Sequence, residues 1–279
     1  FSDDGVGVAN DEVMREAMKA SAEEDILIVA HTEDMNYRKA KACIHEGIQS
    51  EKLQVIGIPS ACEYEQVKRD LRLVEETNAH YHICHMSTKE SVAYLKEAKS
   101  KGLDVSGEVT VHHLLLNELD VKNDANYKMN PPLRSISDQE ALLEGLKSGV
   151  IDLIANDHAP HTAADKAKGL TDAPFGIVSL ETAFPLLYTY LVKQGKLTLQ
   201  KLLECMSSNP AKRFGMDKMG QLKVGYIPDL VLVDLSEQQK INPDQSYSKG
   251  KNTQFCDWKI SGIIKKTFVQ GKLVYEEER

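Results

Sequence analysis

The sequence predicts an α/β fold: part of a (β/α)8 TIM-type barrel followed by a small C-terminal β-layer. Three observations carry that reading. Short apolar runs alternate with stretches of helical apolar spacing, which implies a parallel sheet with helical crossovers. Polar residues recur just past those runs, at Asp4, His31, His85, His112 and Asp157. In a barrel of this kind the chemistry gathers at the C-terminal ends of the strands. Beyond about residue 216 the pattern changes to short strands set off by Gly225, Pro228 and Gly271, which are turn residues. Residues 1–215 are therefore expected to form the barrel portion, and residues 216–279 a small β domain.

Phe1-Ser2-Asp3-Asp4-Gly5 reads as the tail of a strand and a turn, as if the chain began in mid-domain. It carries neither an initiating Met nor a signal sequence. Residues 11–23 have helical spacing through Val13, Met14 and Ala17. The run 26–30 is continuously apolar and ends at His31, as expected for a strand buried on both faces. A charged loop follows, then a helix over about 62–77. Residues 81–84 form a short strand ending at His85. A helix is expected over 87–100, with Ser87 as N-cap, Glu90 completing a capping box, and Gly102 stopping it. Residues 103–111 form the next strand. A helix over 138–147 closes at Gly149, and the strand 150–155 leads to Asn156-Asp157-His158. Four strands and the end of a fifth are too few to close a barrel. Helices near 180–193 and 199–207 precede the β-layer, whose strands centre on 230–233, 267–269 and 272–274. Residues 242–257 read as an irregular loop, and the acidic end 275–279 as a solvated tail.

Composition narrows the function classes. Apolar residues make up 42% and charged residues 27%, so the chain is globular. With 42 acidic residues against 34 basic, the net charge is −8, which argues against a nucleic-acid surface. No apolar run reaches the length of a membrane span. The cysteines number 5, stand far apart and form no CxxC. That pattern fits reduced thiols in a cytoplasmic protein and disfavours a thiolate zinc site.

The chemistry rests on Asp4, His31, His85 and Asp157. Each follows an apolar strand, and histidine nitrogen with carboxylate oxygen suits zinc. A single strand-end histidine could equally be structural; four such residues on four strand ends favour a site. In Asn156-Asp157-His158-Ala159-Pro160-His161, Asp157 could bind metal and move a proton, or merely cap a helix. The loop 128–134 is stiffened by Pro131 and Pro132 and presents Asn130, which both donates and accepts. Substrate-amide recognition and a plain turn are both open there. His112 and His113 are expected to alternate across a strand, so that one of them faces the site. His80 and His82 read as structural.

Several segments occur in a telling order: Phe1 to Gly5, Val29-Ala30-His31-Thr32-Glu33-Asp34, residues 82–90, residues 108–114, residues 128–134, Asp157-His158-Ala159-Pro160-His161, Pro174-Phe175-Gly176 and Glu181-Thr182-Ala183. The series resembles the class I dihydroorotases of the amidohydrolase superfamily, across nearly the whole chain. The resemblance implies that Asp4 is the carboxylate standing where many relatives use a carboxylated lysine, and that His31 and His85 are the two later histidine ligands. It implies that Asp157 is both a ligand and the general acid/base. Asn130, His161 and the Phe175-Gly176 backbone correspond to substrate contacts, and residues 162–172 to a mobile active-site loop. The family's first metal motif, His-x-His followed by an arginine, is absent here, as is roughly the first third of such a chain. Asn156 replaces an expected threonine, and Val111 an expected proline.

The implied activity is the reversible cyclisation of N-carbamoyl-L-aspartate to dihydroorotate in pyrimidine biosynthesis. The implied mechanism uses a metal-bound hydroxide and one or two zinc ions. A homodimer, and pairing with aspartate transcarbamoylase, belong to the same expectation, as do no dihydroorotase activity and little or no bound metal from residues 1–279 alone. Two other readings are a hydantoinase or allantoinase, and a non-catalytic dihydroorotase-like scaffold for aspartate transcarbamoylase. Asp4 in place of lysine disfavours the first; retention of the four strand-end residues disfavours the second.

Overall fold

The computed structural model describes residues 1–277. They fall into two compact units: Phe1–Val178 with Ser248–Asn252, and Ser179–Tyr247 with the segment from Thr253 onward. The division comes well before residue 215. The helical segment from Ala183 to Val192 packs on the strand Lys259–Val269 and so belongs with it.

In the first unit, α1 (Asp11–Glu24) starts where the Asn10 side chain accepts from the amides of Glu12 and Val13, and buries Met14 and Met18. It leads into β1 (Leu27–Ala30). The pair β2 (Ile44–His45) and β3 (Gly57–Ile58) flanks α2 (Ile48–Leu53) and forms a two-stranded parallel sheet of its own. Sequence spacing gives no hint of strands two residues long. Next, α3 (Ala61–Thr77) buries Val67, Leu71 and Val74 at helical spacing and ends at left-handed Asn78.

β4 (His80–Ile83) leads to α4 (Lys89–Ser100), which Thr88 caps by accepting from the Ser91 amide. The expected cap, Ser87, is instead turned inward to the buried Glu63 carboxylate. β5 (Val105–Thr110) is followed at once by α5 (Val111–Leu115), because Thr110 accepts from the His113 amide and starts a helix there. His112 and His113 therefore lie on a helix rather than alternating across a strand, and both are buried. α6 (Ile136–Ser148) opens with a Ser135–Asp138 capping box and closes at Gly149, and β6 (Leu153–Ala155) follows.

The main sheet has the order β1-β4-β5-β6, and every pairing is parallel. Ser2 adds a parallel bridge to Val29, which is the end of the fifth strand. Both faces are covered: Tyr81, Ile83 and Val109 are fully buried, as are Leu95 and Leu146 of the helices packed outside. Each such side chain contributes about 1.5–3 kcal/mol of burial. Short helices α7 (Ala163–Lys166) and α8 (Gly169–Asp172) complete the unit.

In the second unit, α9 (Ala183–Leu187) and α10 (Leu199–Leu203) each run on into a π-helical turn, and α11 (Asn209–Arg213) follows. β7 (Leu230–Lys240), β8 (Lys259–Val269) and β9 (Lys272–Glu276) make an antiparallel sheet in that order. Tyr275 and Glu276, read as part of a solvated tail, pair in β9 with Thr267 and Lys266; Glu278 and Arg279 lie outside the described residues. No helix among the described residues is long and apolar enough to cross a membrane.

Candidate metal centre and substrate site

The four strand-end residues are placed by short extensions of the sheet. Asp4 follows the Ser2 bridge, His31 follows β1, His85 lies two residues past β4 and Asp157 two residues past β6. His85 and Asp157 turn out of their strands in the left-handed region, with φ of 31° and 45°, a costly conformation for a non-glycine residue. At His85 the strain is opposed from both sides. Glu108 accepts its amide at 3.2 Å. Just beyond, buried Glu63 accepts from the amides of Ser87 and Thr88 at 3.0 Å and from the hydroxyls of Ser87, Thr88 and Ser91.

Three of the four converge. Ligand atoms of Asp4, His31 and His85 all lie within 4.8 Å of one another. His31 Nδ1 is 3.0 Å from His85 Nε2, and Asp4 Oδ1 is 4.0 Å from each. Two imidazole nitrogens aimed at one point, with a carboxylate oxygen beside them, form a donor set that fits zinc. The other ring nitrogen of each histidine differs. His31 Nε2 donates to Glu33 Oε2 at 3.1 Å, whereas His85 Nδ1 is buried with no partner among the described residues.

Asp157 lies close enough to feel the charges of all three. Burial pushes its carboxyl up, His85 and His31 pull it back, and Asp4 and Glu108 add to the rise.

The expected substrate contacts form two groups. Asn130 Nδ2 donates to Glu33 Oε2 at 2.8 Å and faces His31 Nε2 at 3.5 Å, so it stands beside the donor cluster. His161 Nε2 donates to the Phe175 carbonyl at 2.7 Å. Gly176 has φ +139°, and a Cβ there would meet the Ala159 Cβ at 2.5 Å, so only glycine fits. The Gly176 amide donates to the Lys128 carbonyl, and its own carbonyl accepts from Asn252. Contact between this backbone and a substrate must compete with those bonds. The groups are joined by Arg38, which pairs with Glu33 and lies 4.7 Å over the Phe175 ring.

Residues 162–172 are held by Lys166. Its buried ammonium donates to the carbonyls of Ala125, Lys128 and Pro174, and burial brings it down to about 8.

Sequence reasoning passes over Glu33, Arg38, Glu63 and Asn252. Glu33 carried one usable signal, its position two residues past His31. Burial alone would push its carboxyl up, but His31, Arg38 and Asn130 together hold it at about 2. Asn252 clamps the other side. It accepts from the His161 amide at 2.7 Å and donates to the carbonyls of Ala159 and Gly176. It sits in a polar stretch with no pattern to mark it. His80 pairs with Asp25 and Asp104, and His82 with Ser106 and Glu108; both do structural work.

Known proteins bear on this geometry. Residues 2–274 match the model of the Amidohydrolase family. The chain is 51% identical to a dihydroorotase of Geobacillus sp. (strain WCH70) and 52% identical to one of Bacillus caldolyticus, in each case over 100% of this chain and 65% of the relative. It therefore spans slightly less than two thirds of the length of these relatives. Among solved structures it is similar to the L-hydantoinase (dihydropyrimidinase) from Arthrobacter aurescens. The TM-score is 0.86 at 28% identity, covering 100% of this chain and 64% of that one. A D-hydantoinase (dihydropyrimidinase) from Thermus sp. gives a TM-score of 0.83 at 25% identity, covering 96% and 60%. With the family's model matched over nearly its whole length, and with histidine and carboxylate donors gathered at the strand ends, the chain belongs to the amidohydrolase family.

Proposed function

We propose that this chain is the larger part of a dihydroorotase, a cyclic amide hydrolase that interconverts dihydroorotate and N-carbamoyl-L-aspartate in pyrimidine biosynthesis. The observation that carries the reading is the donor set itself, in which the carboxylate of Asp4 joins His31 and His85. Identity to dihydroorotases along the whole chain supports the choice of ring over the hydantoins.

His31 Nδ1, His85 Nε2 and Asp4 Oδ1 would hold a zinc ion, with Asp157 and an earlier segment of the full-length protein completing one or two sites. Zinc held there would supply Lewis acidity and a water that is nucleophilic at neutral pH. Asp157 takes a proton from the attacking water and returns it to the leaving ring nitrogen, a task for which a carboxyl raised by burial is suited. Glu33 takes one amide hydrogen of Asn130, which leaves the other hydrogen and the carbonyl to meet the substrate. His161 would grip a substrate carboxylate by turning its Nε2 hydrogen to it from the Phe175 carbonyl. In the condensing direction these contacts hold carboxylate and ureido nitrogen at attacking distance.

The test is ring opening by the full-length enzyme on dihydroorotate, hydantoin and allantoin. We expect kcat/KM to favour dihydroorotate by at least about 100-fold, because buried polar groups left unpaired penalise the wrong ring. Preference for hydantoin or allantoin would move the protein to that class, and loss of all three with no bound metal would favour a scaffold. The size of the full-length protein, alone and with aspartate transcarbamoylase, tests the homodimer and the pairing.

A further inference from the structure

We infer that Glu33 is a positioning residue that couples the metal ligand His31 to the substrate contact Asn130, so that one carboxylate sets both metal affinity and substrate grip; the inference rests on the dihydroorotase reading. Glu33 is buried, with 6% of its surface exposed. Its Oε2 atom lies 3.1 Å from His31 Nε2 and 2.8 Å from Asn130 Nδ2.

An ionised carboxylate only accepts, so each partner must donate to it. For His31 this puts the proton on Nε2 and the lone pair on Nδ1, the atom that faces His85 Nε2 and Asp4. A carboxylate behind a ligating imidazole also raises its basicity and fixes its ring. For Asn130 the same oxygen decides which end of the amide faces the cluster. The other oxygen, Oε1, takes Arg38, whose guanidinium lies over the Phe175 ring. Lys128 Nζ lies 4.4 Å from the same ring. Glu33 thus links the metal ligand, the amide and, through Arg38, Phe175, whose carbonyl accepts from His161. Among the described residues His85 has no such carboxylate on its second nitrogen, so His31 is the histidine through which the link runs.

Glu33→Gln keeps size and shape but cannot accept from all three partners. In the full-length enzyme, zinc affinity is measured by chelator competition, and KM and kcat for dihydroorotate are measured with zinc saturating. We expect zinc to bind about 10–100-fold more weakly and KM to rise about 10-fold. Asn130→Ala should then cost less in the Glu33→Gln background than in the wild type, since coupled sites are not additive. A merely structural role would lower the melting temperature and leave zinc affinity and KM in place. Should Glu33→Gln not fold, Arg38→Lys keeps the Oε2 contacts and loosens the clamp, with the same direction and a smaller effect, about threefold. Zinc affinity and KM within 1.5-fold (roughly the error of such assays) of wild type in the folded variant, or full additivity with Asn130→Ala, would overturn the inference. Failure of the wild type to bind zinc or open dihydroorotate would instead overturn the functional reading beneath it.

Discussion

Glu33 and Asp70 are both buried carboxylates next to an arginine, yet they are held at opposite ends of the acid range. Glu33, at the strand ends, stays ionised with its carboxyl at about 2. Asp70 on α3 is fully buried against β4, where it accepts from the Tyr81 hydroxyl at 2.7 Å and from Arg69. Burial outweighs those partners and brings its carboxyl up to about 6. The difference lies in depth: Glu33 has His31, Asn130 and Arg38, and Asp70 has Arg69, Tyr81 and Gln66, but Asp70 is wholly buried. At the site end Glu33 is held ionised by its partners, whereas burial raises the carboxyl of Asp157. The helix–sheet seam holds one that keeps its proton up to about pH 6.

If that contrast is right, changes at the site end should register in chemistry and changes deeper down in stability. The largest expected effect is Asp157→Ala in the full-length enzyme, which should abolish turnover with the fold nearly intact. Retention of more than about a tenth of kcat, a barrier change under roughly 1.4 kcal/mol, would remove its catalytic role.

Glu63 sharpens the comparison, since it is buried at the site end but touches neither proposed metal nor substrate. Glu63→Ala strands the donors of Ser87, Thr88 and Ser91 and should cost about 4 kcal/mol in urea unfolding. A loss below about 1 kcal/mol would mean that the turn carrying His85 is held by something else.

Asp70 gives a pH-dependent test. Its folded pKa lies above the unfolded value, so the native state holds the extra proton between pH 3.8 and about 6. That contribution is fully present below pH 3.8 and is lost as pH rises through about 6, by roughly 3 kcal/mol in all. Subtracting the stability of Asp70→Asn from that of wild type, pH by pH, should reveal this fall; a flat difference would show that Asp70 ionises normally. The smallest expected effect is at the start of α1. Asn10→Ala removes the α1 cap and should cost about 1 kcal/mol with kcat and KM unchanged.

Legibility in the sequence followed the same division. The strands ending at His31, His85 and Asp157 were readable because buried parallel strands are continuous apolar runs, and strand ends are where polar residues stand out. The Ser87 and His112 misreadings share one cause. Thr88 and Thr110 compete as caps, and propensity alone does not decide which hydroxyl reaches back to an amide and which turns inward to Glu63. The two-residue strands at Ile44 and Gly57 are too short to show a period. Glu33 and Asn252 were invisible as partners because their roles depend on residues about 90 or more positions away, Asn130 for one and His161 for the other.

The most direct test is a crystal structure of the full-length protein with zinc, with anomalous data collected at the zinc edge. The account predicts a peak about 2.0–2.2 Å from both His31 Nδ1 and His85 Nε2, with Asp4 in the same coordination sphere and His31 Nε2 still on Glu33. A zinc ion bound through His31 Nε2, or density at a site that excludes His31 and His85, would contradict it.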